Sequence, residues 1–413
     1  MYKLRHHILS PVRKFLQDSR AVGIILIGCT ILSLVFSNIG FTQNSYLSFF
    51  NNRFTTGNGP IALPENVVSW INDVLMTFFF FLVGMEIKRE LVTGELASIK
   101  KSLLPILAAL GGMIVPALIF TFFNGNTDFH HGWGIPMATD IAFSLGILSL
   151  LGKKIPVQLK ILLAALAIID DLGAVITIAM FYTSKIQILY LLGALVSAVT
   201  AVLFNVFKVK KPILYLIPGI TLWYCLFNSG VHPTIAGVVM AFSMPLSQLE
   251  KLQKILFNPV NFFIMPLFAL ANTAIILPNQ FGSVFSSSIS YGVILGLIFG
   301  KPIGIMLFSW IGTKTGLASL PFNTTFKQLL GIGMLGGIGF TMSIFTSTLA
   351  YESTSLQVIS KVCIIAASVI SSIIGYSYLK RVKFNTTPIS VSESINVHVI
   401  EVPVYEMGEL ATA

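Results

Sequence analysis

Twelve apolar runs, at roughly 21–38, 67–87, 102–123, 135–152, 157–182, 186–207, 212–227, 231–246, 259–277, 288–311, 329–351 and 359–379, fill most of this sequence. As a helix rising about 1.5 Å per residue, a run of ~20 residues crosses the ~30 Å hydrocarbon core of a bilayer. In lipid the backbone N–H and C=O groups have no water to bond, so such runs must satisfy themselves as helices. Of the 413 residues, 55% are hydrophobic and 10% are charged, which excludes a soluble globular domain. The expectation is an all-α polytopic membrane protein with twelve transmembrane helices. One membrane domain covers 1–383, and an acidic, poorly ordered tail covers 384–413.

The basic residues supply an independent check on the topology. Of the 26 lysines and arginines, 22 fall in links that alternate counting places on one side, and only Arg53, Lys185 and Lys361 fall on the other. By the positive-inside bias both termini are expected in the cytoplasm. The net charge of +10 is scattered through these links, so no nucleic-acid partner is expected. Residues 1–20 mix basic and apolar positions and suggest a helix lying on the inner membrane surface. They could pass for a signal peptide, but Ser37-Asn38-Ile39-Gly40 lacks a convincing cleavage site, so a retained first span is expected. Residues 42–66 form a long external loop in which Thr56-Gly57-Asn58-Gly59-Pro60 could turn a β-hairpin. Cys29, Cys225 and Cys363 lie inside apolar runs and read as small packing residues.

Against this apolar background Asp170 and Asp171, in Ala167-Ile168-Ile169-Asp170-Asp171-Leu172-Gly173, stand near the middle of the fifth span. Each charged Asp at mid-depth costs roughly 2.5–3.5 kcal/mol, an expense that no membrane span needs for its own folding. Neighbours on a helix differ by about 100° in direction, so one carboxylate can face a watery path while the other faces a helix.

Two spans look interrupted. The fourth is short and broken at Pro136, Thr139 and Asp140; the eleventh carries Gly331, Gly333, Gly336, Gly337 and Gly339. Unwound backbone at membrane depth is tolerated only where protein or a cavity satisfies it. Helices 3–5 and 10–12 run in opposite senses and place their broken members correspondingly, which suggests an inverted repeat and a transporter's binding site. The plainer reading is that the glycines only allow close helix packing. Lys301, inside the tenth span, needs an anion or the negative ends of half-helices, while Asp140 suits their positive ends. Asp140, Asp170, Asp171 and Lys301, with Thr139 as a hydroxyl ligand, outline a proton/cation exchange site. Close carboxylates in a low dielectric resist double ionisation without a cation or proton between them. A purely structural charge network is the competing reading.

Glu86 and Glu90 share a helix face at the cytoplasmic end of the second span, either as a charged funnel mouth or as a solvated helix end. Asp73 sits nearer the outer end, and His232 opens the eighth span as a boundary residue; the histidines suggest no metal site. An intramembrane aspartyl protease wants GxGD and a prenyltransferase wants DDxxD. Neither motif is present, so the chain reads as no enzyme.

The motifs Ala138 to Leu148, Ala167 to Val175, Phe81 to Leu91, Met265 to Thr273, Gly300 to Ile305 and Gly337 to Phe345 together resemble the NhaA family of bacterial sodium/proton antiporters. The resemblance covers roughly 12–383 and implies crossed, interrupted fourth and eleventh helices in the bacterial inner membrane. It implies an electrogenic, pH-regulated antiporter with alternating access, extruding sodium or lithium against inward protons without a cofactor. By this likeness Asp171 is the principal sodium ligand, Asp170 its partner able to pair with Lys301, and Thr139 and Asp140 line the crossing. Glu86 and Glu90 fall in the pH-response region, and residues 42–66 match a homodimerising hairpin. A sodium-coupled symporter of related fold is the alternative. The sequence departs from the family in a longer external loop and in lacking an acid at Leu252-Gln253-Lys254.

Overall fold

The computed structural model describes residues 19–54, 63–183, 186–209, 211–278, 281–321 and 324–384. The expectations for residues 1–18, for the hairpin tip at 56–60 and for the tail beyond 384 lie outside the described residues. No strand occurs among the described residues. The helices are α1 (Ser19–Asn38), α2 (Gly40–Asn51), α3 (Val67–Val92), α4 (Ile99–Asn124), α5 (Ile141–Leu150), α6 (Val157–Phe181) and α7 (Ile188–Val206). They continue with α8 (Leu216–Ser229), α9 (Ile235–Ser243), α10 (Leu246–Asn272), α11 (Ser288–Lys314), α12 (Phe326–Gly336), α13 (Phe340–Ala350) and α14 (Thr354–Arg381). A 3₁₀ segment, His130–Met137, precedes α5.

Ten helical segments among the described residues are long and apolar enough to cross a membrane, and the pair α12–α13, bent by 47°, makes an eleventh. The run expected as an eighth span folds otherwise. α9 has 9 residues, about 14 Å of helix and too short to cross alone. Pro233 precedes it, and Pro245 follows, ending its backbone ladder and starting α10 earlier than the apolar run suggested. The external loop also differs from expectation, because residues 40–51 are helical as α2. Beyond α2, Phe54 N donates to Glu65 O at 2.7 Å, and Arg53 pairs with Glu65 at 3.2 Å.

The bundle is apolar outside and polar at its centre. Leu118 of α4, Leu189 and Leu192 of α7 and Ile303 of α11 are exposed, whereas Thr139, Asp140, Asp170, Asp171 and Lys301 are at most 1% exposed. A fold whose outer solvent is hydrocarbon has nothing to gain from burying leucine. What it must bury is charge.

Close packing of α4 on α11 brings Lys301 to that centre. The contact point is Gly111 against Gly304, where a Cβ on either residue would overlap the carbonyl of the other. Both neighbours are backbone, so neither can swing away, and the overpacking cost falls at or above the usual ~1–3 kcal/mol. Gly304→Ala is therefore expected to lower the unfolding temperature in detergent by the equivalent of ~3 kcal/mol. Gly28→Ala in α1, where a Cβ meets nothing within 4 Å, should stay within about 0.5 kcal/mol of the parent. Thermal melts of the two variants check both, and equal melting temperatures would contradict this account of the interface.

Candidate functional site

Two interruptions meet at the middle of the bundle. The chain leaves the 3₁₀ segment at Met137, runs extended through Ala138 to Asp140, and re-enters helix at Ile141. The other break is Gly337 to Gly339, between α12 and α13. A side chain at Gly337 would overlap the carbonyl of Leu297 in α11, so glycine is what lets this unwound link lie against its neighbour. The breaks bond to each other: Asp140 N donates to Ile338 O at 2.7 Å, and Thr139 Oγ1 reaches Gly336 O at 3.0 Å. Backbone groups freed by unwinding one helix are satisfied by the other.

Asp140 is held between two helix N-termini. Its Oδ1 accepts from Phe143 N at 2.9 Å, capping α5. Its Oδ2 accepts from Thr341 N at 3.1 Å and from Thr341 Oγ1 at 2.5 Å, at the start of α13. Two sets of free N–H groups and two positive dipole ends compensate this one carboxylate.

Asp170 has a different partner. Lys301, halfway along α11 and fully buried, places Nζ 2.5 Å from Asp170 Oδ2 and 2.5 Å from Thr139 Oγ1. Thr139 Oγ1 also lies 2.7 Å from Asp170 Oδ2. Its single proton can go to Asp170 or to the Gly336 carbonyl, but not to both. A π-helical turn at Gly296–Gly300 directly precedes Lys301, and Pro302 follows it. This local widening sets the direction in which the lysine leaves the helix.

Among the described residues no cation forms an ion pair with Asp171. It lines a cavity of about 190 Å³ that also touches Glu86, Asp140, Thr341, Gln253 and Asn261. Oδ1 of Asp170 and Oδ1 of Asp171 are both buried without a hydrogen-bond partner among the described residues. Unpaired buried carboxylate oxygens are costly, and a cation or a proton is what such oxygens accept. The cavity extends toward the end of the bundle where α3 finishes and α10 begins, the lysine-rich end.

The structure separates Glu86 from Glu90. Glu86 lines the cavity, while Glu90 is buried and meets Arg89 at 3.3 Å, with Arg89 also bonded to Gln253 at 3.3 Å. Lys88 caps α9 by donating to the carbonyls of Phe242 and Met244. At the other end Asp73 Oδ1 lies 3.6 Å from His232 Nε2, and His232 Nδ1 lies 2.7 Å from Thr234 Oγ1. No cluster with metal-ligand composition occurs among the described residues.

Sequence reasoning missed Thr341, whose role depends on its meeting Asp140 across the two breaks and so left no local signal. It also missed Ser368 of α14, which accepts from Phe340 N at 3.2 Å and so supports the same helix end.

An apolar-sided bundle with two interrupted helices meeting at a buried charge cluster defines a multi-pass membrane protein with the architecture of a secondary transporter. A family model described as Na+/H+ antiporter 1 matches residues 13–379. Na(+)/H(+) antiporter NhaA 2 of Flavobacterium johnsoniae is 47% identical over 380 residues, covering 90% of this chain and 92% of that protein. NhaA 2 of Clostridium beijerinckii is 45% identical over 403 residues (95% and 99%), and NhaA of an Enterobacter species 46% over 378 (89% and 97%). The chain belongs to the NhaA family of Na+/H+ antiporters.

The pairing at the centre makes a stability prediction. Lys301→Met strands a buried carboxylate and should cost about 3–5 kcal/mol, whereas adding Asp170→Leu should recover most of that loss. Thermal unfolding of the parent, both single variants and the double variant measures it. If the two losses simply add, the two residues do not act as a pair.

Proposed function

We propose that this chain exchanges sodium, or lithium, for protons at Asp170 and Asp171. The observation that carries the reading is the unequal compensation of three buried acids. Asp140 is held by helix ends and Asp170 by Lys301, while Asp171 faces the cavity with no fixed counter-charge. Sodium or protons occupy the pair, never both, because either removes the cost of bare neighbouring carboxylates. Thr139 and Lys301 steady Asp170 until a cation draws it away, and Asp140 holds the crossing together. Two acids that give up protons for one monovalent cation make the exchange electrogenic. No cofactor is needed beyond the transported ions.

The lysine-rich end faces the cytoplasm, by the positive-inside bias, in a bacterial inner membrane. The cavity is then an inward opening, with Glu86 at its wall and Glu90 beside it as the pH-responsive groups. Alternating access turns on the crossing, since only a charge-compensated site passes cheaply between two openings. An inverted repeat of α4 to α6 and α11 to α14 underlies the motion. The unbroken members, of 26 and 25 residues in one half and 27 and 28 in the other, flank a broken one in each. With α9 and its flanking segments counted as one crossing, the fold has twelve. Residues 42–66 supply the contact for a homodimer.

Proteoliposomes with an internal pH dye and an imposed proton gradient test this. Sodium should dissipate the gradient with the parent protein, and Asp171→Asn should lower the rate by more than about 100-fold. Because cation and proton compete for the same oxygens, each unit of acidification in the competitive range should raise the apparent KM for sodium about tenfold per competing proton. Undiminished exchange by Asp171→Asn, or a KM indifferent to pH, refutes the reading.

A further inference from the structure

The cavity holds a polar group that the exchange site does not use. Asn261 lines it from α10, in the π-helical turn Val260–Ile264. Its Nδ2 donates to Phe257 O, one turn earlier, at 2.9 Å. That bond fixes the amide's orientation, and nothing among the described residues donates to Oδ1. The polar atom that Asn261 has left for the cavity is therefore a carbonyl oxygen.

Its neighbours on the same helix show why the turn is wide. Gln253, Phe257, Asn261 and Met265 all line the cavity. Steps of four residues drift by about 40° each on a regular α-helix, so the last would point well away from the first. A π turn absorbs part of that drift and keeps the later residues on the cavity side. The other cavity groups are already committed or titratable. Thr341 gives its hydroxyl to Asp140, Gln253 Oε1 accepts from Arg89, and Glu86, Asp140 and Asp171 are carboxyls.

We infer that Asn261 is a positioning and specificity-determining residue, whose amide oxygen replaces a hydration water on the alkali ion as it approaches Asp171. This inference rests on the exchange reading above. An amide oxygen suits a hard monovalent cation and does not titrate in the working range. It adds cation affinity without adding proton affinity. Oxygen-bearing side chains then line the cavity from several helices, among them Glu86 of α3, Asp171 of α6 and Asn261 of α10. A carboxylate here in place of the amide would hold cations as well, but would release them on acidification.

Asn261→Leu removes the oxygen and keeps the bulk. In sodium-driven exchange it should raise the apparent KM for sodium and lithium roughly 5- to 10-fold, with the maximal rate within about twofold of the parent. Asn261→Asp should match the parent's KM at alkaline pH and lose affinity more steeply than the parent as pH falls. The sodium concentration that half-maximally raises the melting temperature in detergent should move with the KM. Parent exchange with an unchanged KM in Asn261→Leu overturns the inference and leaves the exchange reading standing. So does a loss confined to maximal rate that Asn261→Asp fails to rescue, which is the signature of a merely structural residue. A parent protein with no sodium-dependent proton movement removes the exchange reading itself. Asn261 as a cation ligand would then be judged by the melting shift alone, where equal sodium midpoints in parent and Asn261→Leu reject it.

Discussion

A carboxylate in the middle of a membrane is tolerable only if something beside it carries opposite charge, and this protein solves that problem in different ways within one site. Asp140 draws on the unsatisfied N–H groups and dipoles of α5 and α13. Asp170 draws on the ammonium of Lys301, steadied by the Thr139 hydroxyl. Asp171 has no ion-pair partner among the described residues, and it lines the cavity. The first two arrangements are built in and hold the fold together. The third acid has no such built-in partner among the described residues, and the proposed exchange rests on that inequality.

Interrupting two helices is what makes the arrangement possible. A continuous helix spends its N–H groups on its own carbonyls, so it has no free end to offer at mid-depth. Breaking the helices at Ala138 to Asp140 and at Gly337 to Gly339 creates two such ends where lipid would otherwise forbid them, and each break satisfies the other's loose carbonyls and amides. Of the glycines expected either to unwind the chain or to allow close packing, Gly337 does both. Gly337 lies in the unwound link and also lets it touch α11, while Gly111 and Gly304 bring α11, and Lys301 with it, against α4. Packing and electrostatics are thus one problem here: any displacement of α11 moves the only cation that faces Asp170 among the described residues.

The apolar runs, the acid pair, Asp140 and Lys301 were legible because lipid punishes every departure from hydrophobicity. A charge that persists in such a run has a reason that a surface charge need not have. The two interruptions were legible through proline and glycine for the same cause. Less was visible where two runs share one composition but differ in length of regular backbone. α9 looked like a full span and is a nine-residue helix, since Pro233 and Pro245 bracket it inside an apolar stretch. Glu86 and Glu90 shared a predicted face, yet only Glu86 lines the cavity while Glu90 turns to Arg89.

By itself, then, the sequence determined that this chain lives in a bilayer, most of the segments long and apolar enough to cross it, and that acids and a lysine are buried within them. Those are consequences of one-dimensional pattern, because transfer into hydrocarbon is priced residue by residue. The pattern of residues left open which acid meets Lys301, a pairing with Asp170 being only what the family likeness implied; the tertiary structure decided it, along with which acid lies on the cavity and that Thr341 and Asn261 border it. Such choices depend on how each helix is rotated about its axis and where its turns widen. Rotation is set by packing against neighbours hundreds of residues away, as Gly111 is set against Gly304.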